Sequence, residues 1–191
     1  MRLITTTLLM SALALPVLAE TRTYATDQGH TEVRFGWDHA GVSRQHGEFD
    51  RAEGKLSIDL DDPASASLEV TIDATSLSTG FGPLDDHVKN ADFLEVDAHP
   101  TIRFTSSSVT RTGDTTADVT GDVVVRGVAV PTKLKVDLTH QGAHPLAQFI
   151  DYYKGDWLAF RATGEIDTSS LGFALPVGTL VVDISSELKA E

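Results

Sequence analysis

The feature of this sequence that most constrains its fold is an apolar side chain at every second position. Between residues 31 and 39, one set of alternating positions is mostly apolar or aromatic and the other mostly polar or charged. The same alternation recurs, in shorter or longer stretches, at 55–60, 68–73, 102–104, 119–125, 133–138, 158–166 and 180–188, with a weaker example at 44–49. A period of two is typical of half-buried strands. Eight or nine such strands with hairpin-length links favour an antiparallel barrel or sandwich over a parallel sheet.

One segment departs from this period. Pro83 to Leu94 carries apolar or weakly polar residues at spacings of three and four, which predicts a single short helix. Pro83 suits the first helical position, and Asp85 and Asp86 suit the first turn, where the helix dipole favours acidic groups. The two acidic residues are therefore explained by helix formation without any catalytic role.

The first 19 residues have the pattern of a secretory signal peptide. Arg2 precedes an apolar run over residues 8–18 that ends at the small residue Ala19. The run is shorter than the roughly 20 residues that a membrane-spanning helix needs. We expect cleavage before Glu20 and one exported domain over residues 20–191.

The balance of charge excludes some partners. The chain has 15 Lys and Arg against 28 Asp and Glu, a formal net charge of −13. Nucleic acids and anionic lipid headgroups are therefore disfavoured as partners. The chain has no cysteine, which excludes disulfides, thiolate nucleophiles and thiolate metal sites.

Signatures of catalysis and metal binding are weak. The sequence contains no GxSxG, HExxH, P-loop or GxGxxG motif in the required context. His140 and His144 are four residues apart, but Gly142 and Pro145 predict a loop there, which disfavours a metal site. We expect no catalytic residue, no metal and no cofactor. The alternative is an enzyme that uses Asp86 and His87 as general acid and base.

The aromatic residues are spread over separate predicted strands. In a sandwich they would fill the core, whereas in an eight-stranded barrel the same inward positions can line a ligand cavity. His39 continues the face that carries Phe35 and Trp37, so we expect its ring to point inward, either as a buried core histidine or as a ligand contact. The period alone does not separate these architectures.

Several motifs resemble one known family. The run FGWDHAGVS at 35–43, the segment VTIDATSLSTG at 70–80, DHVKNADFL at 86–94, HPTIRFTS at 99–106 and VTGDVVVRGV at 119–128 follow the order found in YceI-like proteins. The resemblance covers nearly the whole exported domain. It implies a lipocalin-like extended antiparallel eight-stranded β-barrel with one short helix, enclosing a pocket for an isoprenoid quinone or polyprenyl lipid. It also implies a periplasmic location and homodimers.

Two departures from the family pattern concern the ligand's headgroup. Leu84-Asp85 stands where the family commonly has a basic residue, and Ser169-Ser170-Leu171 also lacks one. A phosphate headgroup would lose a natural partner at both places. The sequence therefore favours a neutral headgroup such as a quinone.

The leading hypothesis is thus a carrier that shields an isoprenoid lipid from water, with a membrane protein as a possible transient partner. His39 and His87 are candidate hydrogen-bond donors to the polar head of the lipid. The predicted lining residues are Phe35, Trp37, Phe49, Phe93, Phe104, Leu158 and Phe160. A barrel filled by side chains, acting through a partner surface, is a further alternative.

Overall fold

The computed structural model describes residues 20–191. It contains ten strands and one α-helix, α1 (Gly82–Lys89). The strands are β1 (Arg22–His39), β2 (Ser43–Phe49), β3 (Ala52–Ile58), β4 (Ser67–Asp73), β5 (Leu77–Ser78), β6 (Thr101–Arg111), β7 (Thr116–Val125), β8 (Val128–Ala143), β9 (Asp156–Asp167) and β10 (Thr179–Ala190). The predicted signal peptide, residues 1–19, lies outside the described residues. None of the helices in residues 20–191 has the length and hydrophobicity of a membrane-spanning segment.

Eight of the strands form a closed antiparallel barrel. Their order is β1, β3, β4, β6, β7, β8, β9 and β10, and β10 pairs back with β1. The inward positions of these strands are the apolar positions of the two-residue period, since Val123, Leu134 and Val182 are all buried. The barrel expected from the sequence is confirmed, and the sandwich is excluded because no edge separates two sheets.

Strand β1 organises the wall because its two halves have different partners. Arg22–Ala25 pairs with β3, whereas Val33–His39 pairs with β2. The register with β10 shifts between Thr26 and Thr31. The weak alternation at 44–49 therefore corresponds to strand β2. The two-residue β5 pairs with the edge of β2 that faces away from β1.

The helix is shorter than the spacing of its apolar residues predicts. It ends at Lys89 rather than Leu94, because Asn90 takes an extended conformation and its side chain accepts a hydrogen bond from the Asp92 amide at 2.8 Å. The chain then turns, and the Glu95 amide bonds to the Asn90 carbonyl at 2.8 Å. Asparagine thus ends the helix through local hydrogen bonding that the apolar spacing does not reveal.

A close approach between β6 and β7 requires a glycine at position 121. A Cβ added there would lie 2.8 Å from the Phe104 ring and would collide with the Thr105 carbonyl oxygen. Residue 121 pairs with Ser106, next to a register shift in β6. The glycine therefore lets the Phe104 ring lie across the neighbouring strand.

We expect Gly121→Ala to lower the free energy of unfolding by about 1–3 kcal/mol, the usual cost of overpacking. Gly82→Ala is the matched control, because a Cβ at that position meets no atom within 4 Å. Urea unfolding followed by circular dichroism measures both. Equal stability of the two variants would contradict the close approach.

Candidate functional site

The interior of the barrel holds a large cavity. Its volume is about 890 Å³, and its wall is formed by inward side chains of the barrel strands together with α1 and end loops. The middle of the wall is apolar, with Val70, Ile72, Phe104, Val123, Leu134 and Ile184. A volume of this size lies toward the upper end of the range for small-molecule sites. The barrel is therefore not filled by its own side chains.

The structure brings most of the predicted lining residues to this wall. They are Phe35, Trp37, His39, Phe49, His87, Phe93, Phe104 and Phe160. Leu158 lies outside the wall. Its side chain is 0% exposed and packs with Tyr24, Leu56 and Leu188 in a second core cluster. Leu158 is thus placed as a packing residue of the barrel.

Three aromatic rings form a continuous surface along β1 and β2. Phe35 stacks on Trp37 at 5.8 Å and meets Phe49 at 5.3 Å between ring centroids. Phe35 and Trp37 share a face because they are two residues apart on a strand. A Cβ at Gly47 would lie 2.7 Å from the Phe35 ring, so this glycine makes room for the ring.

Helix α1 and the loop before β10 complete the wall at one end of the barrel. The His87 ring meets Phe93 edge-on at 5.0 Å, and Phe93 meets Phe173 at 5.6 Å. Leu84 and Val88 of the helix also face the cavity. We refer to this as the helix end of the barrel.

Neither of the two histidines predicted to contact a ligand is buried in the way that a core histidine is. His39 and His87 are both exposed residues that also lie on the cavity wall. His39 is the last residue of β1, so it reaches solvent at the rim, and the expectation of a buried core histidine is wrong. Both imidazoles are placed where one side faces water and the other faces the cavity.

The predicted acid and base pair is not assembled as a catalytic unit. Asp86 and His87 are both exposed, and no hydrogen bond joins them within residues 20–191. The neighbouring Asp85 instead accepts hydrogen bonds from the Thr79 amide and hydroxyl, at 2.6 and 2.5 Å. Asp85 therefore fixes the loop that leads into the helix.

Sequence reasoning missed the lining residues that belong to loops. Leu175, Pro176 and Val177 close the wall at the helix end, while Pro63 and Ala66 do so at the opposite end. Loops carry no two-residue period, so no pattern separates inward from outward positions there. The available signal was the apolar run at 173–177 in one loop, and Pro63 and Ala66 in the other.

A second group of ionisable side chains lies outside the barrel. Burial acts to raise the pKa of Asp27, but hydrogen bonds from His30 and the Gly29 amide outweigh it, and that pKa lies below its usual value. The same bond, 2.9 Å from His30 Nδ1 to Asp27 Oδ2, raises the pKa of His30. Both partners lie where β1 changes register, and no sequence pattern predicted a role for them.

His140 and His144 also differ from prediction. His140 lies on β8, not in a loop, because the strand continues through Gly142 to Ala143. His144 follows the strand, and its Nε2 lies 3.4 Å from Glu187 Oε2, a carboxylate distant in sequence. The two histidine rings are 6.2 Å apart between centroids.

Comparisons with known proteins agree on one family. The YceI-like domain matches residues 24–190. A UPF0312 protein of Ectopseudomonas mendocina is 37% identical over 148 residues, 76% of this chain and 72% of that protein. The solved structure of Burkholderia cenocepacia BcnA has a TM-score of 0.72 at 18% identity and covers 85% of this chain and 98% of its own. A polyisoprenoid-binding domain from Saccharophagus degradans has a TM-score of 0.60 at 14% identity, covering 90% and 100%.

Substitution by alanine can measure how much more tightly Leu158 is packed than a leucine of the cavity wall. Leu→Ala in a core costs about 2–5 kcal/mol, and more where the site is tightly enclosed. We expect Leu158→Ala to fall near the upper limit and Leu134→Ala near the lower, because Leu134 borders open volume. Denaturant unfolding of the ligand-free protein measures both costs. Equal costs would show that the cavity wall is as fully packed as the second cluster.

Proposed function

Because this chain belongs to the YceI-like family, we propose that it is a binding protein that carries an isoprenoid lipid in the cavity of its barrel. The observation that carries this proposal is the apolar cavity of about 890 Å³ inside the barrel. Covering a hydrocarbon chain there would contribute roughly 25 cal/mol per Å² of apolar surface removed from water. The Saccharophagus degradans domain, named for polyisoprenoid binding, has the same fold.

The shape of the wall suits a long chain. Its lining extends from Leu84 and Leu175 at the helix end to Pro63 and Thr115 at the opposite end. The 12 residues of β9 span about 40 Å when extended. At the tilt usual for barrel strands they cover about 30 Å of barrel height. An extended, flexible hydrocarbon fits such a space better than a compact polar substrate.

Charge on the wall favours a neutral headgroup. Among the described lining residues, the only Lys or Arg is Arg111. Its guanidinium already donates to the Gly113 and Asp114 carbonyls, at 2.8 and 3.2 Å. Asp38, next to His39 at the helix end, would repel an anion. His39, Gln45 and His87 can instead form neutral hydrogen bonds with a quinone.

We also propose a cellular location and partners for this protein. We place it in the periplasm after removal of residues 1–19, where it exchanges lipid with a membrane protein. Support comes from apolar side chains exposed around the helix end, Val42 at 82%, Phe81 at 63% and Leu175 at 58%. A homodimer is proposed through the exposed residues Phe149 and Ile150, on the far end of the barrel.

Lipid analysis tests the function directly. Protein purified gently from its native periplasm is extracted with organic solvent, and mass spectrometry identifies what is released. We expect about one isoprenoid lipid per chain, with a quinone rather than a phosphate head. An empty extract, together with no uptake of added isoprenoid quinone or polyprenyl phosphate, would overturn the proposal. Preferential uptake of polyprenyl phosphate would overturn only the prediction that the headgroup is neutral.

A charge in the middle of the wall tests the site. Phe104 is 6% exposed, and Phe104→Asp would place a carboxylate where no partner neutralises it. We expect uptake of an isoprenoid quinone to weaken at least tenfold. The control is Thr71→Asp, which adds the same charge on the outer face opposite Arg103.

A second variant separates loss of the site from loss of the fold. Val136→Phe keeps the wall apolar and fills part of the cavity, because Val136 faces Ala117 and Ala162 across the neighbouring strands. Circular dichroism confirms the fold of each variant. Unchanged uptake by folded Phe104→Asp and Val136→Phe proteins would refute the cavity as the binding site.

A further inference from the structure

The irregular part of β1 meets an acidic residue of β10 on the outer face of the barrel. Thr26 pairs with Leu188 and Thr31 pairs with Ser186, so Glu187 stands opposite the stretch between them. Ser186 and Leu188 line the cavity, which directs the Glu187 side chain outward. Asp27 and His30 lie in the same stretch and complete the group.

We propose that Asp27, His30 and Glu187 bind a divalent transition-metal ion, with Zn²⁺ as the ion that fits best. One donor atom from each residue lies within 4.8 Å of the others, and His30 Nδ1 is 2.9 Å from Asp27 Oδ2. Ligands of a tetrahedral zinc ion, at 2.0–2.2 Å from it, are roughly 3.3 Å apart. The three donor atoms therefore lie within about 1.5 Å of that spacing.

The chemistry of the donors selects the metal. One imidazole and two carboxylates suit Zn²⁺ and its neighbours, whereas Ca²⁺ and Mg²⁺ prefer sites made only of oxygen. A divalent ion between the two carboxylates would also offset both of their negative charges. Three protein ligands leave a fourth position for water.

An unsatisfied oxygen supports the site independently. Glu187 Oε2 is buried and has no hydrogen-bond partner within residues 20–191. The nearby His144 Nε2, at 3.4 Å, does not have hydrogen-bond geometry. A buried carboxylate oxygen without a partner is costly, and a cation would supply the missing interaction.

The surroundings hold the ligands and leave an entry path. The segment 144–155 packs over the group, with Tyr153 stacked on the His144 ring at 4.1 Å. Tyr153 Oη lies 3.5 Å from His30 Nε2, so this ring can bind metal through Nδ1 while Nε2 faces the hydroxyl. The His30 side chain is 46% exposed, which opens the site to solvent.

His144 borders the group but does not supply a ligand atom. Its Nδ1 accepts a hydrogen bond from the Leu146 amide at 3.1 Å, so the proton of the neutral ring sits on Nε2. That proton keeps Nε2 from coordinating a metal ion. His140 and His144, which the sequence already disfavoured as a metal site, are therefore not part of the proposed site.

Calorimetry with ZnCl₂ on the untagged, chelator-treated protein tests the site. We expect one Zn²⁺ per chain and a rise in the thermal unfolding temperature, because the ion would join β1 to β10. Co²⁺ should give the visible absorption of a tetrahedral site. His30→Ala, Glu187→Gln and Asp27→Asn should each weaken Zn²⁺ binding at least tenfold.

The controls are His46→Ala and Glu48→Gln, which remove a histidine and an acid that are exposed on β2. Both should keep full affinity, and circular dichroism without metal verifies that each variant folds. If Asp27→Asn fails to fold, the other two ligand variants decide. Absence of saturable 1:1 binding, or equal affinity in His30→Ala, Glu187→Gln and native protein, would overturn the proposal. Lipid uptake is a separate readout, since the metal lies outside the cavity wall.

Discussion

The pairing of β1 with β10 is the interaction on which the rest of the structure depends. It joins the first and last strands of the described chain and turns an eight-stranded sheet into a closed barrel. Without it, both strands would present unpaired backbone groups at open edges. The inward apolar faces would also lose the opposite wall that shields them from water. The same pairing sets Glu187 of β10 opposite Asp27 and His30.

Closure also explains how the chain combines stability with an open interior. One region, around Leu158 and Tyr24, is packed tightly. Elsewhere the inward side chains, such as Phe104 and Leu134, are withdrawn from water but border a cavity rather than other atoms. Such residues contribute less dispersion energy than a packed core. A bound lipid would restore those contacts and so stabilise the folded protein through binding.

The sequence predicted the strands better than their ends. The period of two located the wall of the barrel, including the weak strand at 44–49, because half-buried strands impose it directly. The end of the helix was misplaced because Asn90 turns the chain through its own side chain. The extent of β8 was underestimated because Gly142 is tolerated within the strand, where its φ is +111°. Local patterns do not record the pairing that keeps such residues in a sheet.

The sequence by itself determined which side chains of the strands face inward, the single helix and the family. Alternation and motif order are local properties, and they need no knowledge of contacts. Only the tertiary structure decided that the inward aromatic residues surround a cavity instead of filling a sandwich, and that His39 reaches the rim. It alone brought Asp27 and His30 to Glu187, near opposite ends of the chain. The physical reason is that closure and register depend on pairings between strands far apart in sequence, which no single stretch of residues encodes.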